Sequence, residues 1–535
     1  MSSSNLDARS SGQDHGQERV QVPSGPVVRV RTLAVDGVEA LAVTVEAAAA
    51  GPRGRLSIVG LPDTAVRESR LRILRASRAL GVHGDLPDIV FNLSPAALRK
   101  EGTSYDMAMT IALAGVVQKA SLPCADDYLV AGELSLDGKA VALPGALAAA
   151  ILCRSLDLGG LVLPEASLPE AAVVDGVRLF GVRNVAEAMA VLIGKPLRPP
   201  VVGRSPDRVD ATGADAFDEI RGQEGAKRAI LIAAAGGHNV LFVGPPGAGK
   251  TMLARALPSI MPRLDLDEAL VIACLHASAG RSRRQEFYVP PFRAPHHTTS
   301  RQALVGGGAS PRPGEVSLAH GGVLFLDELP EFGSDVLEVL RQPLEDGFVS
   351  ISRVRDVRVF PARFMLVAAM NPCPCGFAGD PSRRCNCGAR VVGKYQSRIS
   401  GPLLDRIDIQ FAVRPVVVDE LVGEIRSGGT GAMRERVRAA RERQSKRLAG
   451  LGAALNAHIP TRHLAAAVRI TPPARAHLIN ALKRLGLSGR GYARVLRVAR
   501  TIADLDDAAD VGLAHVSEAL MYRALDRAKD DPGLA

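Results

Sequence analysis

The sequence predicts an α/β protein built on a mostly parallel sheet, with a mixed α+β block before it and a helical block after it. Three observations carry that reading. The apolar run Asn239-Val240-Leu241-Phe242-Val243 feeds directly into Gly244-Pro245-Pro246-Gly247-Ala248-Gly249-Lys250-Thr251 and then a helical stretch from Met252 to Leu257. A second apolar run, Gly322-Val323-Leu324-Phe325-Leu326, ends in the adjacent acids Asp327 and Glu328. Across 214–418, strand-like runs alternate with helical ones, the pattern of right-handed crossovers between parallel strands.

The first of these elements is a strand, a glycine-rich turn and a helix start in the order GxxxxGK[ST]. The glycines let backbone N–H groups turn inward around a triphosphate, and the helix N-terminus adds its positive dipole end. In that setting Gly244, Pro245, Pro246, Gly247, Ala248 and Gly249 form the cradle for ATP. Lys250 faces the β- and γ-phosphates, and Thr251 offers its hydroxyl to Mg²⁺. The bland alternative is a glycine-rich turn that binds nothing; the presence of every fixed position and both flanking elements weighs against it. The second element supports the first. Asp327 at a strand end holds Mg²⁺ through water, and Glu328 polarises the attacking water as general base. Alone, an acidic pair after a strand is often a solvated turn.

The chain has 535 residues, enough for two or three domains, and its 47% hydrophobic and 23% charged residues are those of a globular protein. Residues 1–26, rich in Ser, Gln and Gly, read as a disordered tail without the basic and apolar regions of a signal peptide. Residues 27–195 alternate β-like runs (Leu56 to Val59, Ile89 to Leu93) with Ala-rich helical stretches, and 196–213 read as a linker rich in Pro, Gly and Arg. Residues 419–535 carry helical periodicity. No apolar run approaches the roughly 18–20 residues that span a bilayer; the tract from Ala140 to Leu152 is interrupted by Pro144 and Gly145. The expected location is the cytoplasm, with no membrane partner.

The net charge of +10 points to a polyanionic partner, because phosphates reward clustered Lys and Arg through counterion release. Arg434 to Arg443 places five arginines against two acids on a helix, either as a nucleic-acid surface or as a solvated face laced with i,i+4 pairs.

Beyond Glu328, Asp335 to Glu345 reads as helical, and Val349 to Phe360 alternates around a short polar turn as a hairpin. An apolar strand from Phe364 to Met370 ends at Asn371, where an amide can contact the γ-phosphate or orient water. Leu403-Leu404-Asp405-Arg406-Ile407-Asp408 then places one arginine on a short segment that an oligomer presents to its neighbour. A planar charged fork there stabilises phosphoryl-transfer charge; the competing reading is an ion pair with Asp405 or Asp408.

The order GPPGAGKT, VLFLDE, hairpin, AAMN and LLDRID resembles an AAA+ ATPase of the magnesium-chelatase-like branch. Pro291-Phe292-Arg293-Ala294-Pro295-His296-His297, Val305 to Gly308 and Pro313 to His320 narrow the resemblance to the YifB/ComM family over nearly the whole chain from Val27. The resemblance implies a P-loop AAA+ core with a C-terminal helical lid, a homo-hexameric ring, and an insert between the two nucleotide motifs. It implies Asn371 as sensor 1, Arg406 as a finger acting in trans, and Arg490 as sensor 2, with Arg494 one turn later as the competing candidate. The work it implies is DNA translocation and branch migration in recombination or natural transformation. A chelatase-type motor acting on a porphyrin through partners, and an ATP-gated chaperone or scaffold, are the alternatives. In this branch the hairpin before sensor 1 faces the ring's pore, so Arg353 and Arg355 near its tip are the DNA candidates, against a solvated hairpin in which Asp356 pairs an arginine.

Within 372–390, Cys373, Cys375, Cys385 and Cys387 form CxC-x9-CxC in a loop with Gly and Pro. In a cytoplasmic protein that pattern is either a structural Zn²⁺ site of four thiolates or a set of free, redox-sensitive thiols. Cys124, Cys153 and Cys274 lie in apolar surroundings and are expected in cores. His296 and His297 are expected to be structural or pore-loop residues, since no Cys pair or second carboxylate lies near them in sequence. Ile58 to Asp63 and Asn92 to Gly102 resemble the family's N-terminal domain, whose fold is similar to the proteolytic domain of Lon. Ser104 falls near the nucleophile position there, but the lysine position is near Leu147 and Lys139 is the one lysine of the region, so proteolysis is not expected.

Overall fold

In the computed structural model, the structure describes residues 26–207, 216–308, 311–353, 356–378, 383–415, 429–486 and 488–523. The expected N-terminal tail up to residue 25 lies outside them, as do Arg355 and the side chain of Arg353. Two compact units divide the chain near residue 204.

The N-terminal unit holds an eight-stranded sheet and a two-stranded one, Glu133–Leu134 with Ala140–Val141. Glu39–Gly51 lies antiparallel to Asp88–Ser94, and Leu56–Val59 runs parallel to the latter at the sheet edge. Asp88–Ser94 alternates strictly, with Ile89, Phe91 and Leu93 fully buried, which is the period-2 signature of a strand with one face on a core. Helix Asp106–Gln118 is Ala- and Met-rich and buried over nearly all its length. The apolar tract from Ala140 breaks as its Pro-Gly predicts, into the strand Ala140–Val141 and the helix Ala146–Ser155. Val201–Val202, within the stretch read as linker, pairs antiparallel with Arg178 and Leu179 as an edge strand. Leu147 is buried, Lys139 lies at the surface paired with Asp137 at 2.8 Å, and the Ser104 hydroxyl donates to Leu33 O at 3.4 Å. Cys153 is buried in this unit, and Cys124 is half-buried.

The second unit holds a five-stranded sheet in the order Phe292–Arg293, Val323–Leu326, Met365–Met370, Val240–Val243, Ile409–Ala412, with every neighbouring pair parallel. Its strands are near-continuous apolar runs because helices cover both faces. The hairpin forms from Phe348–Arg353 and Asp356–Pro361, with Arg353 opposite Asp356. Asp335 to Glu345 is not one helix but two short ones, Ser334–Glu338 and Arg341–Asp346, joined at Val339 and Leu340. Pro343 cannot donate to the carbonyl of Val339, so an uninterrupted helix would lose that bond and meet the proline ring.

The C-terminal block is helical: Gly429–Leu448, Pro472–Arg484, Gly489–Leu505 and Leu513–Met521. Here the arginine-rich helix keeps the solvated, paired face in part and adds a use that neither reading of its sequence contains. Arg434 donates to Ser259 O at 2.9 Å, Arg441 to Ala234 O at 2.7 Å and Arg443 to Asp504 O at 2.8 Å. Arg447 grips the Asp504 carboxylate with both Nη atoms at 2.7 Å, and Asn456 bridges that carboxylate to Thr501. These guanidiniums fasten the helix to its neighbours through carbonyls exposed at helix ends, a use of long forked donors that composition cannot distinguish from phosphate binding. Arg438, by contrast, is exposed and paired with Glu435 at 2.7 Å and, at i,i+4, with Glu442 at 3.6 Å, as the solvated-face reading expects.

Two histidines are fixed as neutral rings in the second unit. His276 donates from Nε2 to Leu318 O at 3.0 Å, and His320 accepts from Arg363 N at Nδ1, also at 3.0 Å. Burial pushes both down to about 4, helped by Arg283 beside His276 and Arg363 beside His320. An unfolded histidine titrates near 6.5, so the unfolded chain binds more protons between the two values. Stability should therefore be complete above about pH 6.5 and fall as pH drops toward 4. Thermal unfolding followed across that window checks this. His320→Asn, whose amide oxygen can still accept from Arg363 N, should flatten part of the decline.

Candidate active site

A parallel sheet delivers all its strand ends to one edge, and ligands bind outside the carboxyl ends. Val243 pairs with Met370 and Leu326 with Ala368, so the glycine-rich turn, the acidic pair and Asn371 emerge on the same side. The turn starts where backbones nearly touch: a Cβ on Gly244 would lie 2.4 Å from Val413 O. Gly247 and Gly249 take φ of +79° and +84°, the left-handed region that aims successive N–H groups inward.

Lys250 opens the following helix and is buried. Its Nζ donates to Gly244 O at 2.7 Å, Pro245 O at 2.9 Å and Asn371 Oδ1 at 3.2 Å, using all three ammonium hydrogens. Burial lowers its pKa, opposed by the negative charges of Asp327 and Glu328. A buried ammonium held by neutral carbonyls is under-compensated, and a phosphate anion is the partner that repairs this. Thr251 donates to Asp327 Oδ2 at 2.7 Å, and the other carboxylate oxygen accepts from Glu328 N at 2.9 Å. A hydroxyl and a carboxylate oxygen side by side suit Mg²⁺, a hard cation that takes oxygen ligands and keeps several waters.

Glu328 is exposed and adopts φ +52°, a conformation unusual for a residue with a Cβ. The left-handed twist redirects its side chain beside His297, whose Nδ1 lies 3.5 Å from Glu328 Oε2. His297 stacks against His296 with centroids 4.0 Å apart and meets Phe332 edge-on at 6.5 Å. The histidine pair therefore stands at the acidic residues of the site, a position that spacing in the sequence does not reveal. The surrounding motifs are also joined: Arg293 grips Glu315 bidentately at 2.6 and 2.8 Å, tying PFRAPHH to GEVSLAH.

Arg406 is placed elsewhere. Its Nη1 donates to Pro402 O at 2.6 Å, its Nη2 pairs with Glu345, and its Nε is buried without a hydrogen-bond partner among the described residues. Neither Asp405 nor Asp408 takes it; those carboxylates lie 3.8 and 4.0 Å from Arg494, which burial disfavours as a cation. Arg406, Arg490, Arg494 and Arg497 line one cavity of about 630 Å³ that includes none of Lys250, Thr251, Asp327, Glu328 or Asn371. Arg490 is exposed on the first turn of Gly489–Leu505, capped by Ser488. Asn239, at the foot of the strand Val240–Val243, donates to Arg406 O at 2.8 Å and accepts from Leu366 N at 2.8 Å. The four loop cysteines converge, with all their sulfurs within 4.8 Å of one another. Cys274 lies buried in helix Leu266–Ser278.

Residues 216–421 match the family described as magnesium chelatase, subunit ChlI, and 428–523 match its C-terminal family. Residues 43–167 match the family described as subunit ChlI of Mg-chelatase. The chain is 39% identical to the uncharacterized protein YifB of Escherichia coli over 505 residues, 93% of this chain and 97% of that one. It is 37% identical to the competence protein ComM of Haemophilus influenzae over 499 residues, 92% of this chain and 96% of ComM. It is also 32% identical over 181 residues to Lon protease 2 of Bacillus subtilis, 30% of this chain and 33% of that protease.

Two substitutions test the site. Glu328→Gln should bind ATP with near-parent affinity and lose turnover by a factor on the order of 10²–10⁴, the contribution of a positioned base. His297→Ala should lower the single-turnover rate while leaving ATP affinity in equilibrium titration unchanged, because the ring touches the carboxylate and not the cradle. A weakened ATP affinity with an unchanged rate would move His297 from Glu328 to the nucleotide.

Proposed function

The chain belongs to the YifB/ComM family of magnesium-chelatase-like AAA+ proteins, and from that premise we propose that it is a hexameric, ATP-driven DNA motor that promotes branch migration. Family membership makes it an AAA+ ATPase using ATP and Mg²⁺. The observation that carries the ring is the position of Arg406. One subunit gathers Lys250, Thr251, Asp327, Glu328 and Asn371 at one sheet edge and holds Arg406, with Arg490, in a cavity that none of them lines. In this reading Lys250 binds the β- and γ-phosphates, Thr251 and Asp327 hold Mg²⁺, Glu328 activates water under Asn371, and a neighbour's Arg406 completes the charge compensation.

Three features favour DNA as the track. The net charge is +10, a relative 37% identical over 92% of this chain bears the name competence protein, and the hairpin Phe348–Pro361 exposes Val357 and Val359 to solvent. A hairpin anchored in the core by Val349 and Phe360, with exposed apolar residues and arginines in its turn sequence, is suited to gripping a sugar–phosphate backbone without reading bases. With Arg434, Arg441 and Arg443 used internally, the hairpin is the better candidate of the two basic regions. Arg353 and Arg355 are its proposed phosphate contacts. The four cysteines of 372–390 are assigned a structural Zn²⁺, since four sulfurs already gather at metal-ligand range.

Two experiments test this reading. Lys250→Ala and Arg406→Ala proteins should each be inactive, and mixing them should restore part of the ATPase. In mixed rings an intact cradle can meet an intact arginine only across a subunit boundary. No recovery under conditions of subunit exchange would return Arg406 to its own site. Forked or four-way DNA should stimulate ATP hydrolysis, and added salt should remove the stimulation. Arg353→Ala with Arg355→Ala should weaken all DNA about equally and lower the salt slope by roughly 0.7–0.9 per lost phosphate contact, with basal hydrolysis retained.

A further inference from the structure

The cysteine loop is not remote from the nucleotide. Cys373 and Cys375 follow Asn371 by two and four residues, so the first CxC continues directly from the strand Met365–Met370. Cys373 Sγ lies 3.3 Å from Cys375 Sγ and 3.7 Å from Cys385 Sγ, and Cys375 Sγ lies 3.6 Å from Cys385 Sγ. A tetrahedron of sulfurs at about 2.3 Å from zinc has edges of about 3.8 Å, whereas a disulfide needs about 2.05 Å. The sulfurs are arranged around a point and not joined in pairs. Backbone N–H groups add to the arrangement: Ala378 N donates to Cys373 Sγ at 3.3 Å and Cys387 N to Cys385 Sγ at 3.4 Å. Such outer contacts orient thiolate ligands and neutralise part of their charge.

The turn that closes the first CxC presses on the ATP cradle. Gly376 N donates to Cys373 O at 3.0 Å, and Gly376 has φ +86°. A Cβ there would lie 2.6 Å from Pro246 Cδ, 2.8 Å from Pro246 Cγ and 3.9 Å from Asn371 Cγ. Pro246 belongs to the glycine-rich turn, and Asn371 holds Lys250. On the far side, Gln396 Nε2 donates to Pro372 O at 3.2 Å. The turn at Gly376 thus has no room for a Cβ against Pro246 and lies near Asn371, so what fixes that turn bears on both.

We propose that Zn²⁺ bound by Cys373, Cys375, Cys385 and Cys387 is a clip that sets Pro246 and Asn371 in register for ATP, so that nucleotide affinity depends on metal occupancy. This rests on the zinc and ATP assignments above. No redox change is involved: the metal enters as the divalent ion, four thiolate–metal bonds form, and the thiol protons pass to solvent.

The test uses the full chain as purified. Metal analysis should find one zinc per chain, and a mercurial titrating the thiols should release it to a chromogenic chelator. Binding of a fluorescent ATP analogue should weaken about tenfold or more on release, the scale seen when supports of a site are removed, and should recover when thiols and Zn²⁺ are restored. Gly376→Ala should keep its zinc and show a comparable loss, because its methyl group displaces Pro246; this variant tests the coupling even if the metal-free protein unfolds. Zinc present, with ATP affinity within twofold of the parent in both Gly376→Ala and the metal-released protein, overturns the coupling and leaves the zinc assignment standing. A metal-free preparation that binds ATP tightly overturns the zinc assignment and the coupling with it. Zinc present with no ATP binding in the parent protein overturns the ATP reading instead.

Discussion

The second unit is keyed to one side chain, Asn239. Its amide donates to Arg406 O and accepts from Leu366 N, while its backbone carbonyl accepts from both Asp408 N and Ile409 N. The strand Val240–Val243 that it begins lies between Met365–Met370 and Ile409–Ala412. With that residue fixed, the start of the central strand, the strand that ends at Asn371 and the segment that carries Arg406 cannot slide independently. In a parallel sheet a slip of one residue exchanges the faces of every side chain, so a polar clamp at the foot of the strand protects the alignment of all the groups at its head. His238, next to the clamp, extends it into the helical block through Thr501 at 2.8 Å.

At the head of the strands the polar side chains hold one another. Lys250 is held by the loop's own carbonyls and by Asn371, and Thr251 by Asp327. Under the proposed function those contacts are replaceable one for one: phosphate oxygens would take the lysine donors, and a hydrated Mg²⁺ would take the threonine and aspartate oxygens. Such an exchange would need little reorganisation, which is how fixed dipoles contribute most to phosphoryl transfer. Glu328 differs, being exposed and held in a left-handed conformation, with the ring of His297 beside it. A backbone conformation of that kind costs on the order of 1–3 kcal/mol and persists where surrounding contacts impose it. At this position it accompanies a carboxylate set beside His297.

The parts of this site that were legible in the sequence are those whose chemistry is local. The phosphate cradle, the acidic pair and the CxC pairs each need fixed spacings within a few residues, so the spacing is itself the signal. The α/β class was legible for the same reason, since each strand is an unbroken apolar run. What spacing did not carry is contact across the fold. His297 meets Glu328 and Arg293 meets Glu315 because two short strands pair in parallel, bringing together residues 22 to 31 positions apart. The arginine-rich helix was legible only in part, in the exposed pairs of Arg438, for a physical reason: a guanidinium bonds a helix-end carbonyl with the same geometry it uses for phosphate, and only burial separates the two. The break at Val339 and Leu340 lay in a proline that composition marked but periodicity overrode.

The contacts of Arg406 bear on how such a site would transmit work. Its guanidinium is occupied by Glu345 and Pro402 O, and it cannot keep both while serving a phosphate across a subunit boundary. Glu345 belongs to helix Arg341–Asp346, which passes through Gly347 at φ +75° into the hairpin strand starting at Phe348. A Cβ on Gly347 would meet Arg363 at 2.7 Å, so the junction between helix and hairpin is tightly packed. Under the proposed function, engagement of Arg406 by a neighbour's triphosphate releases Glu345 three residues before the hairpin. Hydrolysis and phosphate loss return the arginine to it. The ion pair has two mutually exclusive partners for one cation, one of them adjoining the segment proposed to hold DNA. A packed junction of this kind passes a change of partner to the hairpin instead of absorbing it as local motion.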